Sequence, residues 1–367
     1  MSCFKHCFRK HYYRYELGIT KINEARALRM GSAIHDGLEY FCRRKPVEDA
    51  ITVIRDTYSA TPDWAMEHLD EWFTECAAIV ALVTGYYWLY SNDDLEILDT
   101  EKSFRLPLIN PDGRASQLFD HGGKRDARAR LPDGRIAIVE HKTCGEDIAP
   151  GSDYWTRLRI DQQISGYWVA AEAMGETPDT VLYDVIRKPT IKRLLATPPD
   201  KLKRTKNGKL YANQREVDMT PDEFGLRLLS DIYERPDFYY QRQEIPRLVA
   251  DIESFRHELW QTQKMIRHCQ LNEYWFKNVS AWTCPFCEFK DLCYQSVYPI
   301  GDATPAGFVR LENVHPELDF DKPKGDSNAS SPPETAPEAA TAEAADCCDV
   351  PSCAVCGGGH EWCDKDL

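Results

Sequence analysis

The stretch that most restricts what this 367-residue chain can fold into runs from Gly122 to Cys144. Two runs with residues suited to strands flank Pro132-Asp133-Gly134, a tripeptide whose glycine adopts positive φ at little cost. A three-residue loop centred on Asp133 sets residues opposite one another when their numbers sum to 266, as those of Asp126 and Glu140 do. Glu140 and Lys142 are two apart, so strand alternation puts them on one face and turns His141 to the other. One face of a small sheet then carries two carboxylates and an amine. Adjacent carboxylates repel, and coexist by sharing a proton or a metal ion. A lysine beside them suits charge stabilisation at a phosphate or a water. A two-residue loop would oppose Asp126 to His141 instead, and the sequence leaves both registers open.

The chain is long enough for one elaborate domain or two smaller ones. No apolar run approaches the roughly 18 residues of a membrane span. Met1 to Cys7 is basic but is followed by no apolar segment, so no secretory signal is read. The setting expected is therefore a reducing cytoplasm, where fourteen cysteines point to metal rather than to disulfides.

Charge is unevenly spread. Residues 312–367 hold 13 acidic and 3 basic side chains, a net −10 of the chain's −14, so the first 311 residues carry only −4. Between Arg187 and Arg215 stand 10 basic residues and one acid, Asp200. Within that segment Lys201, Lys203, Arg204, Lys206 and Lys209 surround Asn207-Gly208, which predicts an exposed loop or hairpin. A lysine-rich loop is often only a solvated surface, yet the scarcity of compensating acids favours contacts with phosphate.

Apolar spacing predicts a helix from Lys21 to Cys42, on which His35 reads by itself as an ordinary helix histidine. Further helices are expected over 47–95, broken near Pro62. A strand is expected from Glu96 to Leu106, a helix from Thr156 to Ala173 with Gln163 and Tyr167 on one side, and a strand from Val181 to Arg187. Thr220-Pro221-Asp222-Glu223 reads as a helix start, and 246–271 as a long amphipathic helix. Cys284, Cys287 and Cys293 form a C-x2-C-x5-C run, a strong metal signal with no fourth donor before Gly301. Cys7 or Cys3 could supply that donor from the other end, as zinc or an iron–sulfur cluster would require. From Asp321 to Asp346 composition predicts disorder. In the tail, Cys353, Cys356, His360 and Cys363 are spaced to bind zinc as a small knuckle, with Cys347 and Cys348 as spare ligands; an unstructured tail is the competing reading.

Taken in order, these pieces resemble the PD-(D/E)XK nuclease superfamily, and within it the RecB-like branch with an iron–sulfur cluster, which includes CRISPR-associated Fe–S exonucleases and phage nucleases. The resemblance covers residues 3–298. Cys7 with the basic and tyrosyl residues after it resembles the opening of that branch, and Gly31-Ser-Ala-Ile-His35 its G-x-x-x-H. Gly123-Lys-Arg-Asp126 is similar to its G-x-x-D, Glu140-His-Lys142 to its (D/E)-x-K, and Gln163-Ile-Ser-Gly-Tyr167 to its Q-x-x-x-Y. Cys284, Cys287 and Cys293 resemble its closing trio. Phe8 departs from the proline usual after the first cysteine, and Cys3 stays a rival to Cys7, which fits the family's spacing to Arg9-Lys10 and Tyr12-Tyr13.

The resemblance implies an α/β (α+β) restriction-endonuclease-like fold, a mixed central sheet flanked by helices. It implies an N-terminal helical part over 1–95, a nuclease core over 96–245 and a C-terminal helix with the cysteine cluster over 246–311, whereas the basic insertion at 187–215 within that core and the cysteine-bearing tail have no counterpart in the family. An acidic linker over 312–346 and a Cys/His-rich tail over 347–367 would follow. It further implies a metal-dependent DNA exonuclease acting on single strands or ends, in recombination, repair or phage DNA metabolism. Asp126, Glu140, the backbone carbonyl of His141 and His35 would hold Mg²⁺ or Mn²⁺. Lys142, Gln163 and Tyr167 would complete the catalytic group, and Cys7, Cys284, Cys287 and Cys293 would ligate a structural 4Fe–4S cluster. No Walker A or helicase motif is present, so unwinding would fall to a partner protein. The rival readings are a structure-specific endonuclease and a catalytically silent DNA-binding adaptor.

Overall fold

The hairpin predicted from Gly122 to Cys144 forms, and it sits at the middle of a five-stranded sheet. The computed structural model describes residues 1–318 apart from 212, 213, 296, 297, 299 and 302. The chain opens with the short helices α1 (Ser2–His6) and α2 (Phe8–His11) and strand β1 (Ile19–Lys21). Helices α3 (Arg26–Cys42), α4 (Val47–Ser59) and α5 (Leu69–Leu89) follow, then strands β2 (Glu96–Ile109), β3 (Ala115–Arg130) and β4 (Ile136–Cys144). Helices α6 (Asp153–Leu158) and α7 (Gln162–Ala173) lead to β5 (Thr180–Arg187). Last come α8 (Pro221–Glu234), α9 (Pro236–Tyr239), β6 (Tyr240–Glu244), α10 (Val249–Leu271), α11 (Lys290–Tyr294) and β7 (Phe308–Arg310).

The sheet runs in the order β2-β3-β4-β5-β6. Only β4 and β5 are parallel, as their crossover through α6 and α7 requires. The other three pairings are antiparallel. Ala127, Ala129, Val139, Leu182 and Ile186 face a core shared with α3, α4, α5 and α8. Ile138, Val181, Tyr183 and Val185 face the opposite core, built with α6, α7 and α10. This mixed sheet between two helical layers is the restriction-endonuclease-like architecture expected. A separate pair, β1 with β7, joins Ile19 to Arg310.

The hairpin register is the three-residue alternative. Arg130 pairs with Ile136 and Ala127 with Val139, each summing to 266. Leu131 and Arg135 close the loop by a 2.8 Å backbone hydrogen bond, and Gly134 takes φ 91° inside it. The helix expected from Thr156 to Ala173 is instead two helices, because Asp161 caps a new one: its Oδ1 accepts from the Gln163 amide at 3.0 Å. Ile160, which helical spacing would place in one apolar stripe with Leu158, Ile164, Trp168 and Val169, is 81% exposed in that break. α8 begins where a helix start is expected, and there Thr220 and Glu223 form a capping box. Strand β6 was not anticipated, since Tyr-Gln-Arg-Gln-Glu is short and polar.

Arg242 of β6 accounts for that polarity. Its guanidinium donates to Asp184 Oδ2 at 3.0 Å and to Asp93 Oδ2 at 2.7 Å. Asp184, fully buried on β5, also accepts from the Tyr86 hydroxyl and faces His141 Nδ1 at 3.5 Å. Burial would raise the Asp184 carboxyl, but Arg242 and His141 hold it down to about 2. His141 reaches on to Cys42 Sγ at 3.5 Å, so one network ties β4, β5 and β6 to α3 and α5. Asp184→Ala strips the carboxylate from the buried His141 and the half-buried Arg242 and is expected to destabilise the fold by about 3–5 kcal/mol. Chemical denaturation measures this; a midpoint equal to the wild type's would show that the network does not hold the strands.

Candidate active site

β3 and β4 separate just beyond Ala127 and Val139, one residue before Asp126 and Glu140 would pair. The Asp126 side chain fills the gap left in the ladder: its Oδ2 accepts from the His141 amide at 2.9 Å. Its other oxygen, Oδ1, lies 3.5 Å from His35 Nδ1 on α3. Glu140 is 2% exposed, and its Oε1 accepts from Lys142 Nζ at 2.9 Å. Glu140 Oε2 is buried with no hydrogen-bond partner among the described residues.

Helix α7 supplies the remaining side chains. Lys142 Nζ also donates to Gln163 Oε1 at 3.2 Å, and Gln163 Nε2 donates to the Tyr167 hydroxyl at 2.9 Å. Glycine at 123 is what lets α7 lie so close: a Cβ there would sit 2.9 Å from the Phe104 ring and 3.2 Å from the Tyr167 ring. The helix motif, the two strand motifs and the histidine motif therefore meet at one place. His141 contributes only backbone to that face, and its ring points into the Asp184 network. Asp161, which sequence reasoning passed over, stands 3.1 Å from Lys142 Nζ through Oδ2. Its signal was an aspartate just before Gln162-Gln163, a helix N-cap pattern.

The electrostatics follow from this packing. Burial, then the Asp126 charge, push the Glu140 carboxyl up to about 7 against the partial relief of Lys142. For Asp126 burial works upward as well, but His35 and His141 outweigh it and hold the carboxyl below its ordinary value. Burial opposes the charge on His35, yet the facing Asp126 raises its pKa. Lys142 is likewise raised, by Glu140 and Asp161 against burial. Among the described residues no three of His, Cys, Asp and Glu surround a common point closely enough to hold a metal ion as they stand.

The cysteines lie at a second place. Asn278 N donates to Cys7 Sγ at 3.5 Å, and Ser280 N to Cys284 Sγ at 3.3 Å. Burial raises the Cys287 and Cys293 thiols, and Cys7 adds to both shifts. Cys3, the rival, is pushed up to about 11 by burial. All five are free thiols. Arg9 Nε donates to the Trp275 carbonyl at 2.6 Å and Lys10 pairs with Glu288 at 3.4 Å, so residues 7–10 are fastened to residues 275–288.

The basic segment forms an exposed turn with a bridge between Arg204 and Leu210. Lys201, Lys203, Lys206 and Lys209 are exposed there, whereas Arg204 is bound to the Gly208 carbonyl and the Glu216 carboxylate. Sequence counting missed Glu216 because it lies one residue past the segment. The tail residues Cys353, Cys356, His360 and Cys363 lie outside the described residues. Among the described residues no helix is long and apolar enough to cross a membrane.

A family model for the PD-(D/E)XK nuclease superfamily matches residues 1–294. The chain belongs to this superfamily of nucleases, whose members typically use Mg²⁺ or Mn²⁺. No curated protein matches it. Among solved structures, "Crystal structure of SSO0001" is similar at 12% identity over 78% of this chain and 93% of that one, with a TM-score of 0.28.

A carboxyl raised to about 7 makes Glu140 a source of instability in the metal-free protein. The folded state holds its proton more tightly than the unfolded one, so this group's contribution falls as pH rises from the unfolded value near 4.5 through about 7. Glu140→Gln is therefore expected to stabilise the protein at pH 8 in chelator by about 1–3 kcal/mol, the gain disappearing towards the ordinary carboxyl pKa of about 4.3. Thermal melts across pH measure it, and a gain that does not depend on pH would refute the assignment to this carboxyl.

Proposed function

We propose that this protein is a metal-dependent DNA exonuclease that hydrolyses phosphodiester bonds in single strands or from DNA ends, in recombination, repair or phage DNA metabolism. The observation that carries the reading is Glu140 Oε2, a buried carboxylate oxygen left unpartnered beside a second carboxylate. A divalent cation is the partner that satisfies both charges, so the donor set fits one. Asp126, Glu140 and the His141 backbone carbonyl would hold Mg²⁺ or Mn²⁺, with the His35 nitrogen a further donor favouring Mn²⁺. When bound, the ion polarises the scissile phosphate and lowers the pKa of the attacking water.

The chain's own residues do the rest. Lys142 presents its ammonium at the edge of the carboxylate pair, where its positive charge stabilises the negative charge that develops on the phosphate. Gln163 accepts from that ammonium and donates to Tyr167, which holds the lysine from the helix side. Lys201, Lys203, Lys206 and Lys209 are exposed and offer positive charge to backbone phosphates. The carboxylate pair argues against a silent binding adaptor, because it repels the phosphate that such a protein would have to hold.

At the second place, Cys7, Cys284, Cys287 and Cys293 would ligate a 4Fe–4S cluster. Backbone N–H groups aimed at Cys7 and Cys284 sulfurs suit thiolates that share negative charge with a cluster. The cluster's part is structural, clamping the ends of the fold.

Two measurements test these assignments. Purified without oxygen, the protein should degrade labelled linear DNA with Mn²⁺ or Mg²⁺, while Lys142→Ala should lose at least about 100-fold in rate. A variant that digests as the wild type does, or rapid cutting of a closed single-stranded circle, defeats the catalytic or the exonuclease assignment respectively. The same preparation should be brown and hold about four irons per chain, reduced by Cys284→Ser; zinc without iron would make this a zinc site.

A further inference from the structure

Lys142 is held by more than the carboxylate it accompanies. Its Nζ lies 2.9 Å from Glu140 Oε1, 3.1 Å from Asp161 Oδ2 and 3.2 Å from Gln163 Oε1. An ammonium carries three N–H groups, so these three oxygens occupy it fully. Two of them come from the start of α7. Asp161 divides its carboxylate between two tasks, Oδ1 accepting from the Gln163 amide at 3.0 Å and Oδ2 facing the lysine.

The turn that carries Asp161 is itself fixed. Buried Arg247 donates through Nη2 to the Leu158 carbonyl at 2.8 Å, to the Asp161 carbonyl at 3.2 Å and to the Tyr183 hydroxyl at 2.9 Å, while Nη1 donates to the Arg159 carbonyl. Tyr183 stands on β5 directly beside Glu140 of β4. The lysine is thus located from its own strand and, through Arg247 and the turn, from the neighbouring strand as well.

Capping alone does not call for an aspartate, since serine and asparagine cap helices about as well. A third carboxylate close to Asp126 and Glu140 is unfavourable unless it has a cation of its own. We infer that Asp161 is a positioning residue for Lys142, sharing the ammonium with Glu140 Oε1 so that the lysine is held in one place beside the carboxylate pair, with Arg247 fixing the turn from which Asp161 acts. The inference rests on the nuclease reading proposed above.

The test compares Asp161→Asn and Asp161→Ser, both of which keep the cap, with Lys142→Ala and wild type on linear DNA with Mn²⁺. Both capping variants should melt as the wild type does, and lose about 10- to 100-fold in kcat with KM for DNA unchanged. Asp161→Asn combined with Lys142→Ala should be no slower than Lys142→Ala alone. Partial recovery in Asp161→Glu, which keeps the charge, would support the assignment further. Full kcat in both capping variants, beside an inactive Lys142→Ala, overturns the role of Asp161 and leaves the nuclease reading standing. A wild type without activity, or a fully active Lys142→Ala, overturns that reading and this inference with it.

Discussion

Two carboxylates held side by side where a hairpin opens are the constraint on which the rest of this structure depends. Antiparallel pairing would normally satisfy the backbone of both strands and leave little room between them. Here the ladder stops at Ala127 and Val139, and the Asp126 side chain takes over one backbone amide of the opposite strand. The opening so created is walled by α3 through His35 and by α7 through Gln163 and Tyr167. What would be a costly clustering of charge in an inert protein is, in the function proposed above, the place where a cation would bind.

The opposite side of the same strand explains why the opening keeps its shape. His141 turns its ring away from the carboxylates and into a buried set of polar groups with Asp184, Arg242 and Tyr86. Glu140 and Lys142 therefore sit on a strand anchored from behind by polar contacts to β5 and, through it, to β6 and the layer of α3 and α5. Such networks are tolerated in a core only when their charges are matched, and this one matches a carboxylate with a guanidinium. The helix layers contribute shape, while the sheet's own polar interior contributes position.

Much of this was legible from residue order. The Pro-Asp-Gly turn and the two-residue spacing of Glu140 and Lys142 are local features, and local geometry carries them into the fold unchanged. Thr220 with Glu223 was legible for the same reason. What could not be read depended on partners distant in sequence. Asp161 breaks a helix that periodicity alone would continue, because its cap and its lysine outweigh the apolar stripe. Strand β6 looked polar because Arg242 belongs to a network whose other members lie on β5 and α5. Arg204 looked free because the carboxylate that neutralises it falls outside the basic run. Periodicity records which face is buried, and it does not record which charges meet.

The fastening of residues 7–10 to residues 275–288, together with the pairing of Ile19 with Arg310, bears on how the chain comes to be assembled. These contacts join segments more than 250 residues apart, so they close only after nearly all of the described chain has been made. The last strand of the sheet, β6, ends at Glu244, and α10 just after it completes one of the two cores that cover the sheet. The short helices α1 and α2 cannot be stable by themselves at five and four residues, and wait on that late closure. During synthesis the contacts of this seam are therefore the last of those described here to become possible.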